Sequence, residues 1–263
     1  MSTSIALVPR VATSGHKAAV AFHRPTVVLV HGAFADGSSW HDVMTRLEAE
    51  GYPTVSAANT LRSVNGDSAV IEALLKTIKG PIVLVGHSYC GVLITNAARG
   101  SESVEALVFV GAFAPEAGES AAELSTKFPG GQLNEAVSPA FLPDGGIDLY
   151  IRADRFHAVF AADVNQARAR IMATSQRPVT QTALTDPSGI SAWHKLPSWF
   201  IFGDADKCIP VAALRFMAER AGSKQTVVLK GASHSLAVSH PDDVAKLIVV
   251  AAKAVTTTKA TVQ

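Results

Sequence analysis

The chain has 263 residues, 48% of them hydrophobic and 17% charged, which supplies one sizeable core and excludes global disorder and coiled coil. A formal net charge of +1 gives no broad electrostatic footprint, so neither nucleic acid nor an anionic membrane is the expected partner, and a small, roughly neutral substrate fits better. The strongest apolar runs, around Val27–Val30 and Ile82–Val85, fall short of the roughly 18 residues of a membrane span.

In chain order, residues 1–24 read as a flexible N-terminal extension with the pattern of a short edge strand at Ala18–Phe22. Pro9 and Arg10 interrupt its apolar residues before a signal-peptide core forms, so a cytoplasmic location is expected, with export left open. Short β-branched runs then alternate with amphipathic stretches. They are strand Thr26–His31, helix Ser39–Glu50, strand Thr54–Ala57, helix Asp67–Lys79, strand Pro81–Gly86, helix Tyr89–Arg99 and strand Val104–Gly111. The alternation resumes with strand Ser198–Phe202, helix Val211–Ala221, strand Gln225–Lys230 and helix His240–Ala254. This order predicts an α/β fold, a mostly parallel, doubly wound sheet of about six strands with helices on both faces.

Between Phe113 and Trp193 the alternation fails, leaving a helical pattern near Asp163–Thr174 and no strong strand. So long a break predicts an inserted, mainly helical cap over 113–193, set into a core of 25–112 and 194–255, with a tail at 256–263. The apolar balance allows a homodimer.

Chemistry concentrates where strands end. In IVLVGHSYCG, a buried strand runs through Gly86 to Ser88 and then into a helix, a strand–turn–helix that would project the hydroxyl beyond the sheet edge. The alternative is a serine that merely N-caps the helix. A serine nucleophile needs a base, and the base needs an acid to orient it. Asp204 and Asp206 follow one strand and compete for the acid role; Asp206 lies deeper in the loop that should face the serine and is favoured, whereas Asp204 would stabilise the turn. His234, after the next strand, is the best base, while His31, His87, His157, His194 and His240 read as turn, cap or surface residues. His31-Gly32-Ala33-Phe34 follows the first strand, and the backbone amides of Ala33 and Tyr89 are the expected oxyanion donors.

These residues resemble the α/β-hydrolase superfamily, and VLVHGAF…W with VLVGHSYCG is most similar to its branch of plant methylesterases and hydroxynitrile lyases. The resemblance spans about Thr26 to Ala254. It implies Ser88 as nucleophile, Asp206 as acid, His234 as base, Ala33 and Tyr89 as oxyanion-hole amides, and no metal or organic cofactor. The lyases of that branch carry a threonine after the first strand and a lysine after the histidine; the matching positions here are Gly32 and Ser235, which favours ester hydrolysis. The expected function is a carboxylesterase-type serine hydrolase acting on small, largely apolar esters. The alternatives are a lactonase or C–C lyase on the same triad, or a non-catalytic small-molecule binder.

Phe34 and Tyr89, beside the oxyanion donors, are the expected pocket residues. Phe113, Phe128, Phe141, Leu142, Phe156, Phe160, Trp193 and Trp199 offer further apolar surface, mostly as packing. Cys90 and Cys208 each lie two residues after a triad member, on loops that this fold brings to one end of the sheet. Two separate buried thiols are the simpler reading, and a Cys90–Cys208 disulfide is the alternative.

Overall fold

The computed structural model describes residues 24–261, so the edge strand expected at 18–22 lies outside the described residues. Six strands, β1 (Thr26–Val30), β2 (Thr54–Ala57), β3 (Ile82–His87), β4 (Val104–Val110), and later β8 (Ser198–Gly203) and β9 (Gln225–Leu229), form one wholly parallel sheet in the order β2-β1-β3-β4-β8-β9. β3 and β8 are buried at every position, which is why they read as continuous apolar runs and not as alternating ones.

Two helix layers cover this sheet. On one face α1 (His41–Ala49) packs against the long α11 (Pro241–Thr261), which follows the short α10 (Leu236–Ser239) and crosses β3, β4 and β8. Opposite, α3 (Cys90–Ala97) sits on β3 and β4 with α2 (Val64–Leu75) beside it, and α9 (Val211–Arg220) lies on β8. The paired residues Phe109 and Phe200 stack at 4.5 Å between ring centroids, joining β4 to β8 within the core. Helix α2 starts before the expected Asp67 because Ser63 caps it, its side chain accepting from the Gly66 amide at 3.1 Å; Asn65 and Gly66 hide that first turn from a propensity reading. Helix α11 runs on to Thr261, through residues expected to be a tail.

Between β4 and β8 stand α4 (Ala121–Thr126), α5 (Leu133–Ala136), β5 (Val137–Phe141), β6 (Ile147–Ile151), α6 (Ala153–Phe160), α7 (Gln166–Ser175), β7 (Val179–Thr180) and α8 (Gln181–Thr185). The expectation of no strong strand here is corrected: β5, β6 and β7 form a separate antiparallel sheet. Its hairpin turns at Pro143-Asp144-Gly145-Gly146, where the Leu142 amide donates to the Gly146 carbonyl at 2.8 Å and the Asp144 side chain accepts from the Gly146 amide at 2.9 Å. Pro139 is tolerated because β5 is an edge strand.

This segment is tied to the core along one seam. Arg62 pairs with the buried Asp148 of β6, and Thr180 donates through its hydroxyl to the Arg62 carbonyl at 2.6 Å and through its amide to the Leu61 carbonyl at 3.0 Å. All six core strands point the same way, so the loops after β1, β3, β8 and β9 gather at one edge. The strand order reverses between β1 and β3, the place where open α/β sheets form their ligand crevice.

Candidate active site

Ser88 sits one residue past the end of β3 with a φ of +56°, in the left-handed region that a residue with a side chain rarely occupies. Its amide donates to the Val110 carbonyl at 3.2 Å, and its carbonyl accepts from the Gly91 and Phe113 amides at 3.1 Å, so neighbouring strands fix the turn. Close approaches dictate the flanking glycines. A Cβ on Gly86 would lie 2.8 Å from the Cys90 carbonyl oxygen, and one on Gly91 only 1.9 Å from the Phe113 carbonyl oxygen. The second glycine of this elbow is therefore Gly91. Cys90 points elsewhere, its thiol donating to the His31 carbonyl at 2.6 Å and accepting from the Asn59 amide group at 2.9 Å.

The Ser88 hydroxyl does not cap α3. No side chain caps that helix, and Ser88 Oγ instead donates to Nε2 of His234 at 2.8 Å. His234 Nδ1 donates to Asp206 Oδ2 at 2.7 Å; a carboxylate only accepts, so the ring proton lies on Nδ1 and Nε2 presents its lone pair to the serine. The other carboxylate oxygen of Asp206 accepts from the Cys208 and Ile209 amides at 2.8 and 3.0 Å, which fixes its orientation. All three residues are buried. Asp204 accepts from the Gly231 amide at 2.6 Å and so stabilises the turn between the β8 and β9 loops. This arrangement can pass a proton from a hydroxyl to an imidazole and stabilise the resulting imidazolium.

Opposite, the loop after β1 runs directly against the serine: a Cβ on Gly32 would lie 2.7 Å from Ser88 Cβ and 2.9 Å from the His87 carbonyl oxygen. Among the described residues, the Ala33 and Tyr89 amides donate to no protein acceptor. The next amide, that of Phe34, donates to the Arg177 carbonyl at 3.0 Å, so the inserted segment holds this loop in place.

Of the two expected pocket residues, Phe34 lines a cleft with Met172 and Gln176 of the inserted segment and Val238, and its ring meets Phe160 edge-on at 6.3 Å. Tyr89 is different. Its phenol donates to Asp67 Oδ2 at 3.3 Å inside the core, and burial beside that carboxylate raises its pKa well above the usual range. Its side chain is packed within the core. Phe160 approaches more closely than the sequence suggests, its ring 5.2 Å from that of His234 and 4.9 Å from Phe156. Phe141, by contrast, stands 79% exposed on the hairpin.

The disulfide alternative is corrected: both cysteines are free. While Cys90 Sγ faces the end of β1, Cys208 Sγ faces the Val159 carbonyl at 3.4 Å, so the two thiols look toward different partners. Burial raises both thiol pKa values well above the usual range.

His87, which its sequence position leaves as an ordinary turn residue, packs directly against His234. Its ring lies 4.8 Å from that of His234, and its Nε2 donates to the His234 carbonyl at 3.0 Å. Burial, reinforced by His234, pushes its pKa down to about 3, so it remains a neutral donor holding the His234 loop. The G-x-S pattern places His87 beside the serine but gives no sign of this long-range bond.

Residues 27–247 match the Alpha/beta hydrolase family. The chain belongs to that family. This alpha/beta hydrolase is 26% identical over 247 residues to the alpha/beta hydrolase nvfD of Aspergillus novofumigatus, covering 86% of this chain and 95% of the relative. Over 113 residues it is 32% identical to a carbendazim hydrolyzing esterase of a Nocardioides species, covering 38% and 47% of the two chains. Polyneuridine aldehyde esterase has the same fold at a TM-score of 0.73 and 19% identity, over 87% of this chain and 99% of that one. A methylesterase from Arabidopsis superposes equally, with a TM-score of 0.73 at 17% identity over 87% and 99%.

Proposed function

We propose that this alpha/beta hydrolase is a serine carboxylesterase that cleaves small, largely apolar esters through an acyl-enzyme. The observation carrying the reading is the continuous hydrogen-bonded chain Ser88–His234–Asp206 on a left-handed serine. Esterases among its relatives support an ester as the substrate.

His234 Nε2 takes the Ser88 proton as Oγ attacks the ester carbonyl, and Asp206 stabilises the imidazolium that forms. The amides of Ala33 and Tyr89 receive the developing oxyanion at no cost in broken protein hydrogen bonds. The proton on Nε2 then passes to the leaving alkoxide, and water resolves the acyl-serine through the same histidine. No step calls on a cofactor.

Ester hydrolysis is favoured over cyanohydrin cleavage because Ser235, where the lyases carry a lysine, donates its hydroxyl to the Phe160 carbonyl at 2.9 Å and offers no ammonium. Phe160 packs on His234 and Phe34 packs on Phe160, which sets an apolar wall beside the triad that suits an uncharged substrate. A panel of short p-nitrophenyl esters, lactones and cyanohydrins tests the reading: esters are turned over fastest, and the rate collapses in Ser88→Ala. Full ester turnover in that variant would sink it.

A further inference from the structure

The acid loop places a thiol beside the acid–base pair. Ligand atoms of Asp206, Cys208 and His234 all lie within 4.8 Å of one another, the set being one carboxylate oxygen, one thiol sulfur and one ring nitrogen. Around a tetrahedral zinc ion such atoms stand ~3.4–3.7 Å apart, given bond lengths of ~2.0–2.3 Å, so shifts of about an ångström or less bring the three onto one ion. A methyl-sized space adjoins the pair: a Cβ built on Gly111 would make ordinary contacts, 3.6 Å from Asp206 Oδ2 and 3.7 Å from both His234 Nδ1 and Leu236 Cδ1.

There is also a second way in. A cavity of about 200 Å³ between α4 and α5 is lined by Ser125, Phe128, Gly131, Asn134 and Cys208. Of the three candidate ligands Cys208 alone lines it, and none of the three triad residues does.

We propose that Asp206, Cys208 and His234 form an inhibitory site for a thiophilic divalent cation of the Zn²⁺ or Cd²⁺ type, reached through the cavity behind Cys208. The cation's inhibition rests on the esterase reading, but its binding does not. The ion replaces the Cys208 thiol proton, which leaves for solvent. At His234 the ion takes the Nδ1 lone pair, and the ring proton moves from Nδ1 to Nε2. Asp206 binds as the carboxylate it already is, so one proton is released per ion and the two anionic ligands neutralise the dication. With Nε2 protonated, no lone pair faces Ser88, and the serine loses its base. Because binding expels a proton, it strengthens ~10-fold per pH unit while the thiol is protonated.

Titration with Cd²⁺ after chelator treatment tests this, following the ultraviolet thiolate-to-cadmium charge-transfer band alongside p-nitrophenyl ester turnover. The expected result is one ion per chain, a band that grows as turnover falls, and tighter binding at higher pH. Cys208→Ala should abolish the band and raise the half-inhibiting concentration by at least the ~10-fold that even an outer-shell change costs, whereas Cys90→Ala keeps both. No band in the wild type, or equal inhibition of wild type and Cys208→Ala, overturns the site. The band needs no catalysis: Ser88→Ala retains all three ligands and should show it undiminished. A protein that shows the band without cleaving esters keeps the site and refutes the esterase, and one that cleaves esters without the band does the reverse.

Discussion

Ser88 holds its hydroxyl on a backbone conformation that costs roughly 1–3 kcal/mol and is held by the bond from its amide to the Val110 carbonyl and those from the Gly91 and Phe113 amides to its carbonyl. That cost aims Oγ at His234, and His234 at Asp206. Asp206→Asn should keep the fold and lower kcat by roughly 10³–10⁴, because an amide in that place favours the wrong imidazole tautomer. Asp204→Asn, which alters only a turn contact to the Gly231 amide, should change kcat less than ~10-fold, and steady-state kinetics on one ester separates the two. The choice between these aspartates was legible from depth in the loop. His87 was not, since its bond to the His234 carbonyl spans parts of the chain far apart in sequence. Its ordinary pKa of 6.5 falls to about 3 on folding, so the unfolded chain binds the extra proton between those values. Stability from His87 is therefore complete above pH ~6.5 and is lost as pH falls toward 3, with His31 shifted in the same direction. Melting temperatures at pH 7.5 and 5 should differ, and His87→Gln should shrink that difference.

Each expected core strand and helix exists because its apolar run or stripe is buried by the sheet and its two helix layers. What the pattern hid were elements stabilised by tertiary partners. The β5–β6 hairpin carries a Pro-Asp-Gly turn signal between short strands, but Pro139 and the exposed Phe141 spoil the alternation that would mark them. At the elbow, the fixed position is Gly91, and a methyl there would meet the Phe113 carbonyl oxygen at 1.9 Å. Gly91→Ala should cost about 1–3 kcal/mol or more by urea denaturation, and activity should fall with it as the Ser88 turn is displaced. Across the seam, Arg62→Met removes the partner of buried Asp148 and should expose the β5–β6 hairpin to limited proteolysis before the core unfolds.

For the molecule as a whole, the parallel sheet gathers four loops at one edge, and the inserted segment closes over them through the Arg62–Asp148 pair and the Phe34–Arg177 bond. The alternation in the sequence conveys the sheet and the edge on which chemistry collects; the course of the insertion depends on contacts between distant residues and does not follow from local pattern. A hydroxyl, an imidazole and a carboxylate stand in one buried hydrogen-bonded line after β3, β9 and β8, and in the proposed reaction this line activates a serine that is otherwise inert. The most direct test is intact-mass analysis after treatment with a fluorophosphonate. A single phosphonyl adduct on Ser88 is expected, with loss of ester turnover in step with its formation and no adduct in Ser88→Ala. Ester turnover that persists in fully labelled protein, or no adduct on Ser88 at all, would contradict the proposed reaction.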